Sequence, residues 1–367
     1  MTMKTKHDWL WLALCCAACS SSSSASGPVL SGVVTMRAAP DWFAPPDRLA
    51  VGDYENDRQR NVHIQFSYMR AHSEVEWLVF VSGECGVVER AYDFVRCFEI
   101  EPRMESPTHG LPFLNHLMRR ARFVARRSTT HLLYLNADVV VTGDLVAGVR
   151  NVTRQVAERH VLISGYARAF RARRHYDWAD AGHRREFAKA VDGAREYEEP
   201  GWGMESFIVD RDSLLLQRLP PFLVGRVRWD NWMMQFGAAH PAIAAVDASA
   251  ALRPVHLEHG GSDAAPKAMG AMRADAANQY NKELSEAHGS QDWGVMFCFD
   301  YVVRTSGRVE HYANLGGGNF TVEGDTMPTK GSAAWTDYMA RKYGKWQYER
   351  FANLRRWIIG KKHIRLQ

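Results

Sequence analysis

One stretch of sequence decides the fold, Thr130-His-Leu-Leu-Tyr-Leu-Asn-Ala-Asp-Val-Val-Val-Thr-Gly143. Its apolar run from Leu132 to Leu135 is short and continuous, which is typical of a strand buried on both faces of an α/β sheet. The run ends at Asn136 and Asp138, at the carboxyl end of the strand, where α/β sheets bind ligands. Both side chains offer oxygen to a hard divalent cation and a diphosphate. An Asp after an apolar run is also a common turn residue, so the stretch alone identifies no site.

The residues before this stretch alternate between strand and helix patterns. Strands are predicted over 31–37, 75–81 and 97–100, and helices over 58–71, 87–95 and 113–127. Repeating units of this kind predict an α/β fold with a largely parallel sheet and helices on both faces. The arginines of the last helix are most simply a solvated face.

A second dense region follows from residue 201 to 261. A helix is predicted over 233–239, and Asp230 would lie near its N-terminus, where a carboxylate is stabilised. Helix capping and chemistry are both open roles for Asp230. His256 and His259 are three residues apart and would share one side of a turn, either as ordinary surface residues or as metal ligands. The polar segment 168–199 is interpreted as a loop or a polar helix.

The N-terminus reads as a targeting segment. Lys4 and Lys6 precede the apolar stretch Trp9–Cys19, which at eleven residues is shorter than the roughly 20 that a membrane span needs. We therefore predict that residues 1–27 are a cleaved signal peptide, or a short uncleaved anchor, with a Ser-rich linker. This is the only part that suggests membrane association. With the glycosylation patterns at Asn151 and Asn319, it predicts the secretory pathway (ER or Golgi lumen) or the cell exterior.

Composition bounds the remaining possibilities. The chain has 367 residues, of which 46% are hydrophobic and 24% charged, enough for a large core. The net charge of +5 suits a protein that handles phosphates, and the lack of an aromatic-rich basic module argues against nucleic acid as a partner. Outside the targeting segment, Cys85, Cys97 and Cys298 form neither a disulfide framework nor a zinc site. One Cys85–Cys97 bridge and three free thiols both stay open.

Several segments together resemble a family of nucleotide-diphospho-sugar transferases with the GT-A fold. They cover about residues 31–262 in one continuous order. The shared segments are Arg60-Asn61, Ser82-Gly-Glu-Cys-Gly86, Gly110-Leu-Pro112, Tyr134-Leu-Asn-Ala-Asp138, Pro220-Pro-Phe-Leu-Val-Gly-Arg226 with Trp229-Asp-Asn-Trp232, and His256-x-x-His259. The Asn-Ala-Asp piece resembles the DxD signature of these enzymes, here with Asn136 in its first position.

The resemblance implies a Rossmann-like GT-A domain over residues 28–262. Residues 263–367 have no clear counterpart in the family, and their own strand and helix patterns predict an α+β extension. The resemblance also implies transfer of a sugar from a UDP- or GDP-sugar to a glycan or glycoconjugate acceptor. The leaving diphosphate takes on negative charge, which a divalent Mn²⁺ or Mg²⁺ ion stabilises. Asp138 would hold this ion, with His256 and His259 as further ligands.

Further roles follow from the same resemblance. Asn136 and Asp138 would bind the nucleotide diphosphate, and Thr35 and Arg60 would contact the nucleotide by their position at the first strand and first helix. An inverting enzyme needs a carboxylate that takes the proton of the acceptor hydroxyl; the candidates are Asp230 and, second, Glu205. Three tryptophans would stack on sugar rings or belong to the core, namely Trp202, Trp229 and Trp232.

The sequence departs from the family pattern at two points. Glu205-Ser206 stands where the family carries an Asp-Tyr pair, and His259 is followed by two glycines instead of an acidic–aromatic pair. The Asn in place of the first DxD aspartate favours an alternative, a catalytically inactive carbohydrate-binding pseudoenzyme. A sugar-phosphate nucleotidyltransferase is disfavoured, because no Gly-rich loop with Arg or Lys follows the first strand.

Overall fold

The computed structural model describes residues 30–37, 54–156, 160–193, 204–259, 275–289, 299–311, 320–322 and 325–327. Several predicted features lie outside these residues, namely the targeting segment, Trp202, Asn319 and most of the predicted C-terminal extension. Within the described ranges, no helix has both the length and the apolar character that crossing a membrane requires.

The first half of the described chain alternates strands and helices. The elements are β1 (Leu30–Arg37), α1 (Tyr54–Ala71), β2 (Glu76–Ser82), α2 (Cys85–Ala91), β3 (Arg96–Glu99), a 3₁₀ turn (Pro102–Met104), α3 (Leu114–Val124), β4 (His131–Asn136), β5 (Val139–Val141) and α4 (Leu145–Gln155). The Asp144 side chain caps α4 by accepting a 2.9 Å hydrogen bond from the Ala147 amide.

The second half is more irregular. Its elements are β6 (His160–Tyr166), β7 (Arg168–Phe170), α5 (Ala181–Asp192), β8 (Met204–Asp210), α6 (Leu214–Arg218), α7 (Trp229–Ala239), β9 (Ile243–Asp247), α8 (Ser249–Leu252), β10 (Pro254–Leu257), α9 (Ala276–Ala287), β11 (Tyr301–Val303), β12 (Val309–His311), β13 (Phe320–Val322) and β14 (Asp325–Met327). Helix α7 begins at Trp229, four residues before the predicted start, so Asp230 lies in its first turn.

Nine of the described strands form one sheet in the order β12-β11-β9-β6-β8-β4-β1-β2-β3. Neighbouring strands are parallel except at β8, which runs antiparallel between β4 and β6, and at the edge strand β12. The predicted α/β class with a mostly parallel, helix-flanked sheet is thereby confirmed. Strands β11 and β12 come from beyond residue 262 and extend one edge of this sheet.

Strand β4 is the central element because it packs on both faces. Leu133 and Leu135 belong to the core on the side of α1, α4 and α5. Leu132 and Tyr134 belong to the core on the side of α3, α6 and α7. All four side chains are at most 1% exposed, which explains the continuous apolar run in the sequence.

A second, three-stranded sheet begins where the chain passes from β4 of the main sheet into β5. Its order is β5-β10-β7, with β10 antiparallel to β5 and parallel to β7. His256 of β10 pairs with Val139, the first residue of β5. The ladder thus brings His256 beside Asp138, from which it is 118 positions away in the sequence.

The polar segment 168–199 contains both β7 and α5. Helix α5 is capped by Asp180, whose carboxylate accepts hydrogen bonds from the Gly182 and His183 amides at 2.5 and 3.1 Å. Only Phe187 and Val191 of this helix are buried. An apolar face of two residues gives little periodicity, so the sequence left loop and polar helix unresolved here.

A disulfide joins Cys85, at the start of α2, to Cys97 in β3, with the Cα atoms 5.5 Å apart. This is the bridge that the sequence left open. It ties the helix to the outer strand of the parallel sheet across a sequence separation of 12 residues. Closing a loop of this length stabilises a fold by about 3 kcal/mol, mostly by restricting the unfolded chain.

We predict that Cys85→Ser/Cys97→Ser lowers the free energy of unfolding by about 2–3 kcal/mol, because the loop closure is lost. Guanidinium unfolding of the variant, and of the wild-type chain with and without reductant, measures the loss. A wild-type midpoint that reductant leaves unchanged would contradict this account.

Glu76 is a buried carboxylate at the start of β2, with its side chain 2% exposed. It accepts hydrogen bonds from Ser31 Oγ at 2.7 Å, the Arg126 amide at 2.9 Å and Arg96 Nη1 at 2.5 Å. Burial raises its pKa, but these hydrogen bonds and the Arg96 charge outweigh burial and hold the pKa below the ordinary value of 4.5. The carboxylate thus joins β1, β2, β3 and the segment after α3.

A lowered pKa means that ionised Glu76 stabilises the fold above its unfolded pKa, and that this contribution is lost as the pH falls through the folded value. We predict that Glu76→Gln costs about 2 kcal/mol at pH 7. The difference from wild type should shrink progressively below about pH 4.5. Urea unfolding at a series of pH values tests this, and a pH-independent difference would refute it.

Candidate metal centre

Three side chains meet at the carboxyl edge of the main sheet. Asp138 Oδ2 lies 3.3 Å from His256 Nε2 and 3.5 Å from His259 Nε2. One ligand atom from each residue lies within 4.8 Å of the other two. All three side chains are partly buried, at 16–24% exposed. The structure thus brings together the three residues that the sequence proposed as metal ligands.

Backbone hydrogen bonds place these side chains. Asp138 lies in the two-residue turn between β4 and β5, and its carbonyl accepts a 2.6 Å hydrogen bond from the Leu257 amide. Because β10 pairs with both β5 and β7, His256 is fixed on two sides. His259 follows β10 and lies with its ring centroid 6.2 Å from that of His256.

Glu205 joins the group from the antiparallel strand β8. Since β8 starts where β4 ends, Ser206 pairs with Leu135 and Glu205 lies beside Asn136. Glu205 Oε2 is 3.5 Å from Asn136 Nδ2 and 3.7 Å from His256 Nε2. Asn136 therefore turns its amide towards a carboxylate, and Glu205 supplies an acid close to the position where a DxD signature has its first aspartate.

The charges of the group compensate one another. Burial raises the pKa of Asp138, but His256 and His259 outweigh it and hold that pKa far below its usual range. Burial lowers the pKa of His256, but Glu205 and Asp138 raise it to about 10. Burial raises the pKa of Glu205, with the His256 charge opposing and the Asp138 charge adding to the rise. Two carboxylates in one partly buried crevice thus require a nearby positive charge.

Asp230 lies in the first turn of α7, directly after Arg228 and Trp229; Arg228 has a left-handed backbone at φ 84°. Burial raises the pKa of Asp230 to about 6; a hydrogen bond from the Asn231 amide lowers it and the charge of Glu205 raises it. A partly buried carboxyl with this pKa is suited to accept a proton near neutral pH.

The tryptophans next to Asp230 are core residues. Trp229 is 5% exposed and its ring packs edge-on against Tyr134 and Phe207, with centroids 5.2 Å apart in each case. Trp232 is 3% exposed and stacks on Phe236. The packing of Trp229 on Tyr134 fixes the start of α7 against the end of β4, which positions Asp230.

Two predicted nucleotide contacts have different surroundings. Thr35 pairs with Asn136 on the neighbouring strand and its hydroxyl lies 3.4 Å from that of Tyr134, so it lies at the same sheet edge as Asp138. Arg60 is 1% exposed, and its guanidinium lies 2.8 Å from the carboxylate of Asp57. A nucleotide contact by Arg60 would require this buried ion pair to rearrange.

The donor set fits a divalent transition metal. One carboxylate and two imidazoles form a mixed oxygen–nitrogen set that leaves positions for a substrate. Mg²⁺ prefers oxygen ligands in strict octahedral geometry, so the two imidazoles favour Mn²⁺ between the two predicted ions. A bound cation would also neutralise the carboxylates that His256 otherwise balances.

No family model matches the chain, and no curated protein matches it either. Solved structures give weak similarities. A 4-diphosphocytidyl-2C-methyl-D-erythritol synthase from Anaerococcus prevotii is 11% identical at a TM-score of 0.33, over 71% of this chain and 100% of that one. A Desulfovibrio desulfuricans protein described as a nucleotide-diphospho-sugar transferase is 9% identical at a TM-score of 0.34, over 71% and 97%.

A mannose-1-phosphate geranyltransferase from Thermus thermophilus is 14% identical at a TM-score of 0.29, over 52% of this chain. The match spans 61% of that protein, less than two thirds of its length. Similarities at this level of identity and TM-score carry no functional argument. The function has to be argued from the site.

We predict that Mn²⁺ raises the melting temperature of the wild-type chain and leaves that of Asp138→Asn unchanged, because the variant loses the anionic ligand. Thermal unfolding with Mn²⁺ and with chelator measures the shift. Asp144→Asn is the matched control, since an amide caps α4 as a carboxylate does, and it should keep the full shift. An equal shift in Asp138→Asn would exclude this metal centre.

Proposed function

We propose that this protein is a metal-dependent glycosyltransferase that moves a sugar from a UDP- or GDP-sugar to a glycan or glycoconjugate acceptor. One observation carries the proposal: Asp138, His256 and His259 converge at the carboxyl edge of a mostly parallel sheet, with Glu205 beside them. This edge is where open α/β sheets bind nucleotides. The choice of a nucleotide sugar as the donor rests on the sequence segments that resemble nucleotide-diphospho-sugar transferases.

Asp138, His256 and His259 would hold the divalent ion. When bound, the ion supplies a Lewis acid that stabilises the charge on the leaving diphosphate. Asn136 holds the Glu205 carboxylate through its amide, and Thr35 lies next to it on β1. These side chains line the same edge of the sheet and would orient the donor there.

Asp230 is the proposed base that accepts the proton of the acceptor hydroxyl as the new glycosidic bond forms. Its position in the first turn of α7 and its raised pKa, which partial burial and the charge of Glu205 cause, both support this role. Glu205 stays the second candidate. Its contacts with Asn136 and His256 favour a part in balancing the charge of the metal centre instead.

The Cys85–Cys97 disulfide supports an oxidising compartment. Together with the predicted targeting segment, it favours the secretory pathway or the cell exterior. A glycan or glycoconjugate acceptor fits such a location.

The alternative, a carbohydrate-binding pseudoenzyme, was suggested by Asn136 in place of an aspartate. Glu205 weakens this argument because its carboxylate lies 3.5 Å from Asn136 Nδ2. It therefore places an acid close to the position of the absent aspartate. Nucleotide binding distinguishes the pseudoenzyme from the transferase.

We predict that UDP or GDP binds with Mn²⁺ and not with chelator in calorimetric titrations. Asp230→Asn should bind the nucleotide as wild type does, while release of nucleoside diphosphate from the matching donor sugar falls by about 10²–10⁴-fold, the usual contribution of a general base. Asp144→Asn again serves as the control and should keep full activity.

If neither nucleotide binds the folded protein, the proposal of a UDP- or GDP-sugar transferase is wrong. Glycan binding without nucleotide binding would favour the pseudoenzyme. Wild-type turnover by Asp230→Asn would show that Asp230 is not the base, and the proposal of metal-dependent nucleotide binding would still stand.

A further inference from the structure

The two residues between the histidines, Leu257 and Glu258, have every backbone polar group hydrogen-bonded. The Leu257 amide donates to Asp138 O at 2.6 Å, and the Glu258 amide donates to Phe170 O at 2.9 Å. The carbonyl oxygens of Leu257 and Glu258 both accept from a single side-chain amide, Asn61 Nδ2, at 2.7 and 3.2 Å. The backbone between the two imidazole ligands is thereby held from both sides.

Asn61 reaches this turn from helix α1, 196 residues before Leu257 in the sequence. Its side chain is 1% exposed. One turn earlier in α1, the buried carboxylate of Asp57 pairs with Arg60 at 2.8 Å and with Arg171, just after β7, at 3.2 Å. The helix is therefore fastened to the small sheet at two successive turns, and Asn61 presents its amide from a fixed position.

The side-chain amide of Asn61 replaces the backbone donors of a neighbouring strand at the end of β10. Strand β10 ends at Leu257, and the Leu257 and Glu258 carbonyls accept from Asn61 where a longer ladder would have supplied backbone donors. An asparagine amide carries two N–H donors on a short stem, which suits it to bridge two successive carbonyls. A buried carbonyl without a partner would otherwise cost about 1–3 kcal/mol and would favour another turn conformation.

We propose that Asn61 is a positioning residue of the metal centre, which fixes the spacing of His256 and His259 by clamping the backbone between them. This inference rests on the proposed metal-dependent function. Groups that hold metal ligands in place typically change metal affinity by about 10–100-fold when removed. The Asn61 amide bonds to the turn and not to the proposed ligand atoms, so its effect on the ion is indirect.

The chain offers a matched control in Asn281 of α9, which is 0% exposed. Its Oδ1 accepts from the Leu223 amide at 2.8 Å, and its Nδ2 donates to Leu223 O and Val227 O at 3.0 and 3.1 Å. Asn281 thus clamps a different loop with the same chemistry. Substitutions remove two buried hydrogen bonds to backbone carbonyls at each residue, and at Asn281 one accepted bond as well, but only those of Asn61 lie between the proposed metal ligands.

The test is titration of Mn²⁺ into the full-length chain, with free Mn²⁺ measured by electron paramagnetic resonance, for wild type and for Asn→Leu and Asn→Ser at both positions. We expect Asn61→Leu and Asn61→Ser to weaken Mn²⁺ binding at least about 10-fold. Asn281→Leu and Asn281→Ser should bind within about two-fold of wild type. The serine variants are small and polar, so they report on Asn61 even where leucine prevents folding.

The outcomes separate this inference from the function on which it rests. Wild-type affinity in the Asn61 variants would overturn the positioning role while leaving the metal centre in place. An equal loss in the Asn281 variants would overturn it as well, because the effect would then reflect general destabilisation. If the wild-type chain binds no Mn²⁺, the proposed metal centre itself is wrong.

Discussion

The pairing of β10 with β5 is the constraint on which the site depends. Strand β5 starts directly after Asp138, and His256 pairs with Val139, so the ladder itself places an imidazole next to the carboxylate. The 2.6 Å hydrogen bond from the Leu257 amide to the Asp138 carbonyl closes the same junction. Without this small sheet, the main sheet would still present Asp138, but the two histidines would not be held beside it. The candidate metal centre therefore lies where the two sheets separate.

Electrostatics explains why these side chains belong together. Asp138 and Glu205 both lie in a crevice where their side chains are only 20–24% exposed, and burying two carboxylates is unfavourable unless a positive charge compensates them. His256 Nε2 lies 3.3 Å from the Asp138 carboxylate and 3.7 Å from that of Glu205. His259 Nε2 lies 3.5 Å from the Asp138 carboxylate and gives it a second imidazole partner. A divalent cation would satisfy the same demand with more charge at one point. Asn136, being neutral, limits the number of acids in the crevice and holds Glu205 by its amide.

The three candidate ligands were implied by the resemblance to nucleotide-diphospho-sugar transferases. The sequence pattern itself predicted the α/β class and strands β1 to β4, because buried strands carry continuous apolar runs. It did not predict that β8 is antiparallel, since an apolar run carries no direction, and so the meeting of Glu205 with Asn136 was not foreseen. Asn61 was part of a recognised segment, but no local pattern indicates that its amide reaches a turn 196 residues away. Residues that act through long-range contacts leave no periodic signal in a single sequence.

The most direct test of the metal centre is a crystal structure of the full-length chain grown with Mn²⁺ and UDP or GDP, with anomalous diffraction at the manganese edge. The account predicts an anomalous peak about 2.0–2.4 Å from Asp138 Oδ2, His256 Nε2 and His259 Nε2, with the diphosphate in its open positions. A peak held by other side chains, or a nucleotide bound at this edge with no peak beside Asp138, would contradict it.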